Sequence, residues 1–138
     1  MPADMPANNS LHAFLYCSTL AAQQPISVVG DIVKAAREKN ARLGLTGVLI
    51  FDGQRFCQYL EGNAVAISDM LQNICLDPRH TDVVVQFHGP QEGPRRFQDW
   101  AIAYAELEEP IALDELMSFE GEEALLLFHQ LLPSLDYC

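Results

Sequence analysis

The sequence predicts an α+β fold: a ferredoxin-like βαββαββ sandwich with a C-terminal helical extension. Apolar residues alternate in several short runs, as they do in half-buried strands, and two longer segments show the i, i+3, i+4, i+7 spacing of amphipathic helices. The Asp52-Gly53 pair is a hairpin turn signal between two of the alternating runs. In chain order, these segments produce the βαββαββ pattern.

The first strand is predicted over residues 11–18, where Tyr16 and Ser18 point to one face and Leu15 and Cys17 to the other. Both faces therefore carry apolar residues, and each face needs a covering layer.

The first helix is predicted over residues 25–42, with Gly44 as its C-terminal cap. Asn40 extends its apolar stripe by one turn, so an amide is expected on a buried face. The apolar members of the stripe are Val29, Ile32, Val33 and Ala36.

The two strands of the hairpin are predicted over residues 46–51 and 55–61. Gln58 shares a face with Phe56 and Leu60, which places its side chain on a buried side of the sheet. A buried amide left without partners costs roughly 1–3 kcal/mol for each unpaired group. Gln58 therefore needs hydrogen-bond partners from other side chains or from a ligand.

The second helix is predicted over residues 64–76, with Asn63 as its N-cap and a stop at Asp77-Pro78. Its buried stripe comprises Ile67, Met70, Leu71 and Ile74. Further strands are predicted over residues 83–87 and 100–104.

In this fold we expect the first and third strands to be parallel neighbours and both helices to cover one sheet face. Tyr16, Asn40 and Gln58 would then converge beneath the helices. These three side chains could simply hydrogen-bond to one another. However, a cleft with apolar walls and several polar groups directed into it is also typical of a binding site for a planar heterocycle. By spacing alone, Arg79 and His80 fit a solvated turn.

The opposite sheet face is expected to be covered by the tail, Ile111 to Leu132. This segment is apolar around most of its circumference, which indicates a second partner and favours a homodimer or higher homo-oligomer.

The composition fits one soluble domain of 138 residues, with a net charge of −11 and only 8 Lys and Arg residues. Nucleic acid and membranes are therefore unexpected as direct partners. Residues 1–10 lack the pattern of a signal peptide and predict a disordered tail. The scattered cysteines and histidines predict a cytoplasmic protein without a metal site.

Five short motifs occur in order between residues 11 and 105. They are Leu15-Tyr16-Cys17-Ser18, Asn40-Ala41-Arg42-Leu43-Gly44-Leu45-Thr46-Gly47, Arg55-Phe56-Cys57-Gln58-Tyr59-Leu60-Glu61-Gly62, Asp77-Pro78-Arg79-His80 and Arg95-Arg96-Phe97-Gln98-Asp99-Trp100. In this order and spacing the set resembles the BLUF family, the blue-light sensors that use flavin. The resemblance covers residues 11–105 and leaves 106–138 as a C-terminal helical extension too short for an effector domain.

The resemblance implies a non-covalent flavin between the two helices, FAD as a rule, with FMN and riboflavin as alternatives. The cofactor-binding positions it implies are Tyr16, Ser18, Ile32, Lys39, Asn40, Gln58, Ile74, Asp77, Arg79 and His80. Ile32 and Ile74 would pack on the two ring faces, and Asn40 would bond the carbonyl edge. Lys39 stands where relatives often carry Asn or His.

The resemblance also implies a function, a blue-light photoreceptor without net catalysis. Tyr16 would give an electron and, through Gln58, a proton to the flavin, and Gln58 would end with rearranged hydrogen bonds. The signal would leave through Trp100 and Ile102 to a downstream effector protein. Ile102 stands where many relatives have Met, and it can neither accept a hydrogen bond nor flex as Met does.

Two alternatives belong to other classes. One is an acylphosphatase-like hydrolase on the same fold, which would need a phosphate-binding loop with a converging Arg and Asn. The other is an interaction module whose cleft holds no chromophore.

Overall fold

The computed structural model describes residues 11–97, 103–106 and 115–131. These residues form one five-stranded sheet with helices on both faces. The strands are β1 (Leu11–Leu20), β2 (Thr46–Phe51), β3 (Arg55–Asn63), β4 (His80–Pro90) and β5 (Ala103–Glu106); the helices are α1 (Val28–Leu43), α2 (Ala64–Leu76) and α3 (Gly121–Leu131). This order confirms the predicted α+β fold and its C-terminal helix. None of the helices in the described ranges is long and apolar enough to cross a membrane.

The strands are ordered β4-β1-β3-β2-β5. The expectation that β1 and β3 are neighbours is correct, but the expectation that they are parallel is wrong, because they pair antiparallel. The α1 crossover returns the chain so that β2 runs in the same direction as β1, and the tight turn at Asp52-Gly53 then reverses β3. The parallel pair in this sheet is β2 with β5.

Helices α1 and α2 pack on one face of the sheet, as predicted. Their buried residues, among them Val33 and Ile67, join Phe14, Phe56 and Leu60 in one apolar cluster. On the other face, α3 covers β1 and β3. The buried residues of that second cluster include Ala13, Leu15, Tyr59, Leu116, Ala124, Leu125 and Phe128.

Local sequence signals explain where α1 ends and where α2 begins. Gly44 has φ of 71° and caps α1, and the side chain of Asn63 accepts a hydrogen bond of 2.9 Å from the backbone N–H of Ala66. The first helix begins at Val28, three residues later than predicted, because the residues from Pro25 form a turn instead. Strand β4 is longer at both ends than the predicted 83–87.

Several predictions fall outside the described residues. They are the disordered tail over 1–10 and the output positions Trp100 and Ile102. The predicted strand over 100–104 overlaps β5 only at Ala103 and Tyr104.

Candidate functional site

Tyr16 and Gln58 form the centre of the site. They lie directly opposite each other on β1 and β3, and the Tyr16 hydroxyl donates a hydrogen bond of 2.8 Å to Oε1 of Gln58. Both side chains are buried, with 4% and 5% of their surface exposed. The predicted convergence of these two polar groups beneath the helices is therefore present.

The environment of Tyr16 keeps its phenol protonated. Burial raises the pKa of Tyr16 far above its ordinary value, and the nearby Cys57 thiol adds a smaller effect in the same direction. A protonated phenol donates its one hydrogen to Gln58. Within the described part of the chain this is the only side-chain hydrogen bond of Gln58, so its amide NH2 group is left to face the adjoining cleft.

A cleft with a volume of about 140 Å³, open to solvent at its mouth, lies between α1 and α2 above this pair. The apolar lining comes from both helices and the sheet: Ile32, Ala35, Ala36, Leu49, Phe56, Met70 and Ile74. The polar lining consists of Tyr16, Lys39, Asn40, Gln58, Asn73, Asp77, Arg79 and His80.

Asp77 and Arg79 form an ion pair at the end of α2, on the rim of the cleft. Nη2 of Arg79 lies 2.6 Å from Oδ2 of Asp77, and the Arg79 backbone N–H donates to Oδ1 at 2.9 Å. Hydrogen bonds from Arg79 hold the pKa of Asp77 below its usual range, and Asp77 raises the pKa of Arg79. The pair fixes the direction of the guanidinium at the cleft wall.

The ion pair predicts a pH dependence of stability. The folded pKa of Asp77 is depressed, so its contribution is complete above the unfolded value of about 4 and is lost as the pH falls through the folded pKa. Because the pair is partly exposed, we expect Asp77→Asn to cost about 1 kcal/mol or less at pH 7. Melting temperatures measured between pH 2 and 7 should converge for the two proteins at low pH.

The control for this prediction is Asp69→Asn, which changes an exposed carboxylate on α2 and should leave the melting curve at the wild-type position. A gap between wild type and Asp77→Asn that stays constant down to pH 2 would contradict it.

His80 is fixed from both sides of its ring. Its Nε2 lies 2.6 Å from the carbonyl oxygen of Ile74, which can only accept, so Nε2 carries a hydrogen. Its Nδ1 lies 2.7 Å from Oγ of the buried Ser18. The ring meets Tyr16 edge-on, with 6.0 Å between the ring centroids. Ser18 thus contacts the site through His80.

The structure brings the predicted site residues together. Nine of the ten predicted cofactor-binding residues line the cleft, and the tenth, Ser18, is bonded to His80. Their roles toward a cofactor stay predictions. The sequence predicted Phe56, Ala36 and Met70 only as core residues, although their positions on the buried faces already placed them on the side of the sheet that carries the cleft. It missed Ala35, Leu49 and Asn73 altogether; Asn73 follows Met70 by one helical turn.

The residues present fit an isoalloxazine ring. Such a ring has two apolar faces and an edge of alternating hydrogen-bond donors and acceptors. The cleft offers aliphatic side chains from two facing helices, and at its base an amide NH2 group that has no other partner among the described residues.

The family model described as "Sensors of blue-light using FAD" matches residues 11–103, about two thirds of the sequence. The chain belongs to the BLUF family. FAD is the cofactor named in the description of the family, and flavin binding is a feature of the family.

Curated relatives match over part of their length. The chain is 32% identical over 74 residues to the blue light- and temperature-regulated antirepressor BluF of Escherichia coli K12, covering 54% of this chain and 18% of that protein. It is 35% identical over 98 residues to the photoactivated adenylate cyclase subunit beta of Euglena longa, covering 71% of this chain and 11% of that protein. The chain therefore spans less than a fifth of these two relatives.

Among solved structures, the dark state of the BLUF protein BlrB matches with a TM-score of 0.76 and 29% identity, covering 92% of this chain and 98% of that one. The photo-activated state of BlsA, at 22% identity and a TM-score of 0.69 over 86% of this chain and 91% of that one, shows a shared fold.

Proposed function

We propose that this protein is a blue-light photoreceptor in which light rearranges the hydrogen bond between Tyr16 and Gln58 and a protein partner reads the result. The observation that carries this proposal is the 2.8 Å hydrogen bond between a buried phenol and a buried amide at the base of the cleft. An amide suits this role because its two ends have opposite hydrogen-bond character, so it can exchange partners without changing shape.

A bound flavin supplies a strong oxidant when it absorbs blue light. Tyr16 is the electron donor on this proposal, and its O–H points at Oε1 of Gln58, so a proton that leaves the phenol is received by that atom. Burial of both side chains limits the access of water as a competing acceptor. With its hydrogens redistributed, or after rotation, the Gln58 amide presents a different group to Tyr16 and to the cleft.

The remaining predicted residues bind and orient on this proposal. Ile32 on α1 and Ile74 on α2 line the cleft from its two helices and are suited to packing on opposite ring faces. Asn40 supplies an amide for a carbonyl edge. The Asp77–Arg79 pair and His80 supply polar groups at the rim, and Lys39 lies on the same lining.

Other parts of the proposal concern properties that membership of the BLUF family does not by itself specify. We infer that the chain signals without net catalysis, that Trp100 and Ile102 take part in output, and that it forms a homodimer or higher homo-oligomer. Exposed apolar side chains on and before α3, Leu126 at 62% and Phe119 at 40%, support a further contact there. FAD is the expected ligand in preference to FMN, and the cytoplasmic location stays a prediction from the cysteine pattern.

The first test is an absorbance spectrum of the purified protein, reconstituted with FAD where necessary. We expect a flavin band that shifts to longer wavelength under blue light and returns in the dark, because a carbonyl of the ring gains a hydrogen bond. A protein that cannot be loaded with any flavin would exclude the photoreceptor, and it would favour the chromophore-free interaction module. A loaded protein with no reversible shift would refute the proposed role of the Tyr16–Gln58 pair.

A further inference from the structure

Gln86 is the single buried residue of β4, with 4% of its surface exposed. It lies at an irregularity in the pairing of β4 with β1, where Leu15 pairs with Phe87 and Tyr16 with Val85. Gln86 is therefore the extra residue of a β-bulge directly beside Tyr16. A bulge redirects one side chain and locally disrupts the hydrogen-bond ladder between the two strands.

The side chain of Gln86 joins β1 to the segment that precedes α3. Its Nε2 donates to the carbonyl oxygens of Leu116 and Phe119 at 2.6 and 3.0 Å. Its Oε1 accepts a hydrogen bond of 3.0 Å from the Cys17 thiol. The two carbonyls belong to one turn, closed by the bond from Phe119 N–H to the Leu116 oxygen, and α3 begins soon after at Gly121.

This link begins next to the photoactive pair. Cys17 follows Tyr16 and lies opposite Cys57, which precedes Gln58, so the two thiols occupy the neighbouring pair of the same strand register. Tyr16 and Gln58 point toward the cleft, whereas Cys17 and Gln86 lie on the α3 side of the sheet. A shift of β1 at Tyr16 must therefore move the thiol relative to Gln86.

We propose that Gln86 is a positioning residue that transmits the state of the Tyr16–Gln58 pair through the sheet to residues 115–131. The inference rests on the proposed function. The bistable element is the bulge: when β1 moves, Gln86 either keeps its thiol partner or keeps both carbonyls, and the turn before α3 loosens in one of the two states. A buried carbonyl oxygen that loses its hydrogen-bond donor raises the free energy of the folded state, so the loss of either bond changes the stability of the turn before α3.

The competing explanation is a purely structural role, in which the hydrogen bonds of Gln86 only hold the turn against the sheet. The two explanations differ in one measurable quantity. A structural tie affects dark and lit states equally, whereas a transmitting residue determines the difference between them.

The experiment is hydrogen exchange by mass spectrometry on the full flavin-loaded chain, in the dark and under continuous blue light, with the flavin band recorded on the same samples. In the wild type we expect light to change the exchange of peptides within 115–131 by about fivefold, the effect of one hydrogen bond of about 1 kcal/mol. In Gln86→Met the flavin shift should persist, and the light-minus-dark difference in exchange should disappear. Gln130→Met, which changes an exposed glutamine on α3, is the matched control and should behave as wild type.

Three outcomes would overturn the inference. One is a Gln86→Met protein that exchanges faster in both states but keeps the wild-type difference. Another is a wild type whose flavin band shifts while residues 115–131 do not respond. A wild type without any flavin shift would remove the proposed function and this inference together.

A second variant pair keeps the proposal testable if Gln86→Met does not fold. Cys17→Ala removes the thiol donor but leaves both bonds from Gln86 to the turn, so we expect a reduced light-minus-dark difference. Cys17→Ser retains an O–H donor and should restore the difference. An unchanged difference in Cys17→Ala would exclude the route through this thiol.

Discussion

Tyr16→Phe is expected to bind flavin and to lose the light-induced shift completely. The substitution keeps the ring, including its edge contact with His80, and removes only the hydroxyl that donates to Gln58. Without that O–H there is no proton to pass to Oε1, and the amide has no reason to rearrange. Oε1 of Gln58 also loses its buried donor, so we expect a cost in unfolding free energy of about 1–3 kcal/mol.

Light-minus-dark absorbance spectra of the two flavin-loaded proteins check this expectation. The matched control is Tyr59→Phe on the opposite sheet face, where the hydroxyl donates to Oε1 of Glu61 at 3.1 Å. Burial raises the pKa of Tyr59, as it does that of Tyr16, so the control removes a phenol in a comparable environment. It should keep the shift. A normal, reversible shift in Tyr16→Phe would refute the role of Tyr16.

Gly47→Ala is expected to have the largest effect on folding. Gly47 lies in β2 opposite Leu60 of β3. A Cβ added there would collide with the backbone carbonyl oxygen of Tyr59, and it would lie 2.8 Å from the carbonyl carbon and 2.9 Å from Cδ2 of Leu60. Backbone cannot move aside as a flexible side chain can. We therefore expect a loss of about 4 kcal/mol or more, a large part of the stability of a domain this size.

Urea unfolding followed by circular dichroism measures this loss. Gly30→Ala is the matched control, because Gly30 lies in α1 and an added Cβ there meets nothing within 4 Å. Alanine favours a helix over glycine, so the control should gain about 0.5–1 kcal/mol. An unfolding midpoint of Gly47→Ala close to that of the wild type would contradict the close approach of β2 to β3.

Local signals in the sequence predicted much of the site. The limits of α2 agree with the prediction at both ends, because Asn63 caps its first turn and Pro78 stops it. Alternation placed Gln58 on one face with Phe56, and the structure confirms that this face is buried. These features depend on residues within a few positions of one another, so the sequence around them is sufficient.

Long-range features were less accessible. The direction of β3 relative to β1 depends on how the α1 crossover returns the chain, and the prediction of a parallel pair was wrong. The full length of β4 was missed because its ends lack an alternating pattern and are held by pairing with β1. Gln86 is the one polar residue in the run from Val83 to Phe87, but its role was not predicted, since only the bulge against β1 turns it toward the C-terminal segment.

By itself, the sequence of this protein determined the order and type of the strands and helices and several of their limits, and the ordered motifs identified its family. Only the tertiary structure decided that the Tyr16 hydroxyl reaches Oε1 of Gln58, that His80 is bonded on both ring nitrogens, and that Gln86 lies behind the pair. The physical reason is the range of the interactions. Periodicity and caps arise from neighbours in the chain, whereas these hydrogen bonds join side chains that are distant in sequence and whose distances are set by strand register and helix packing.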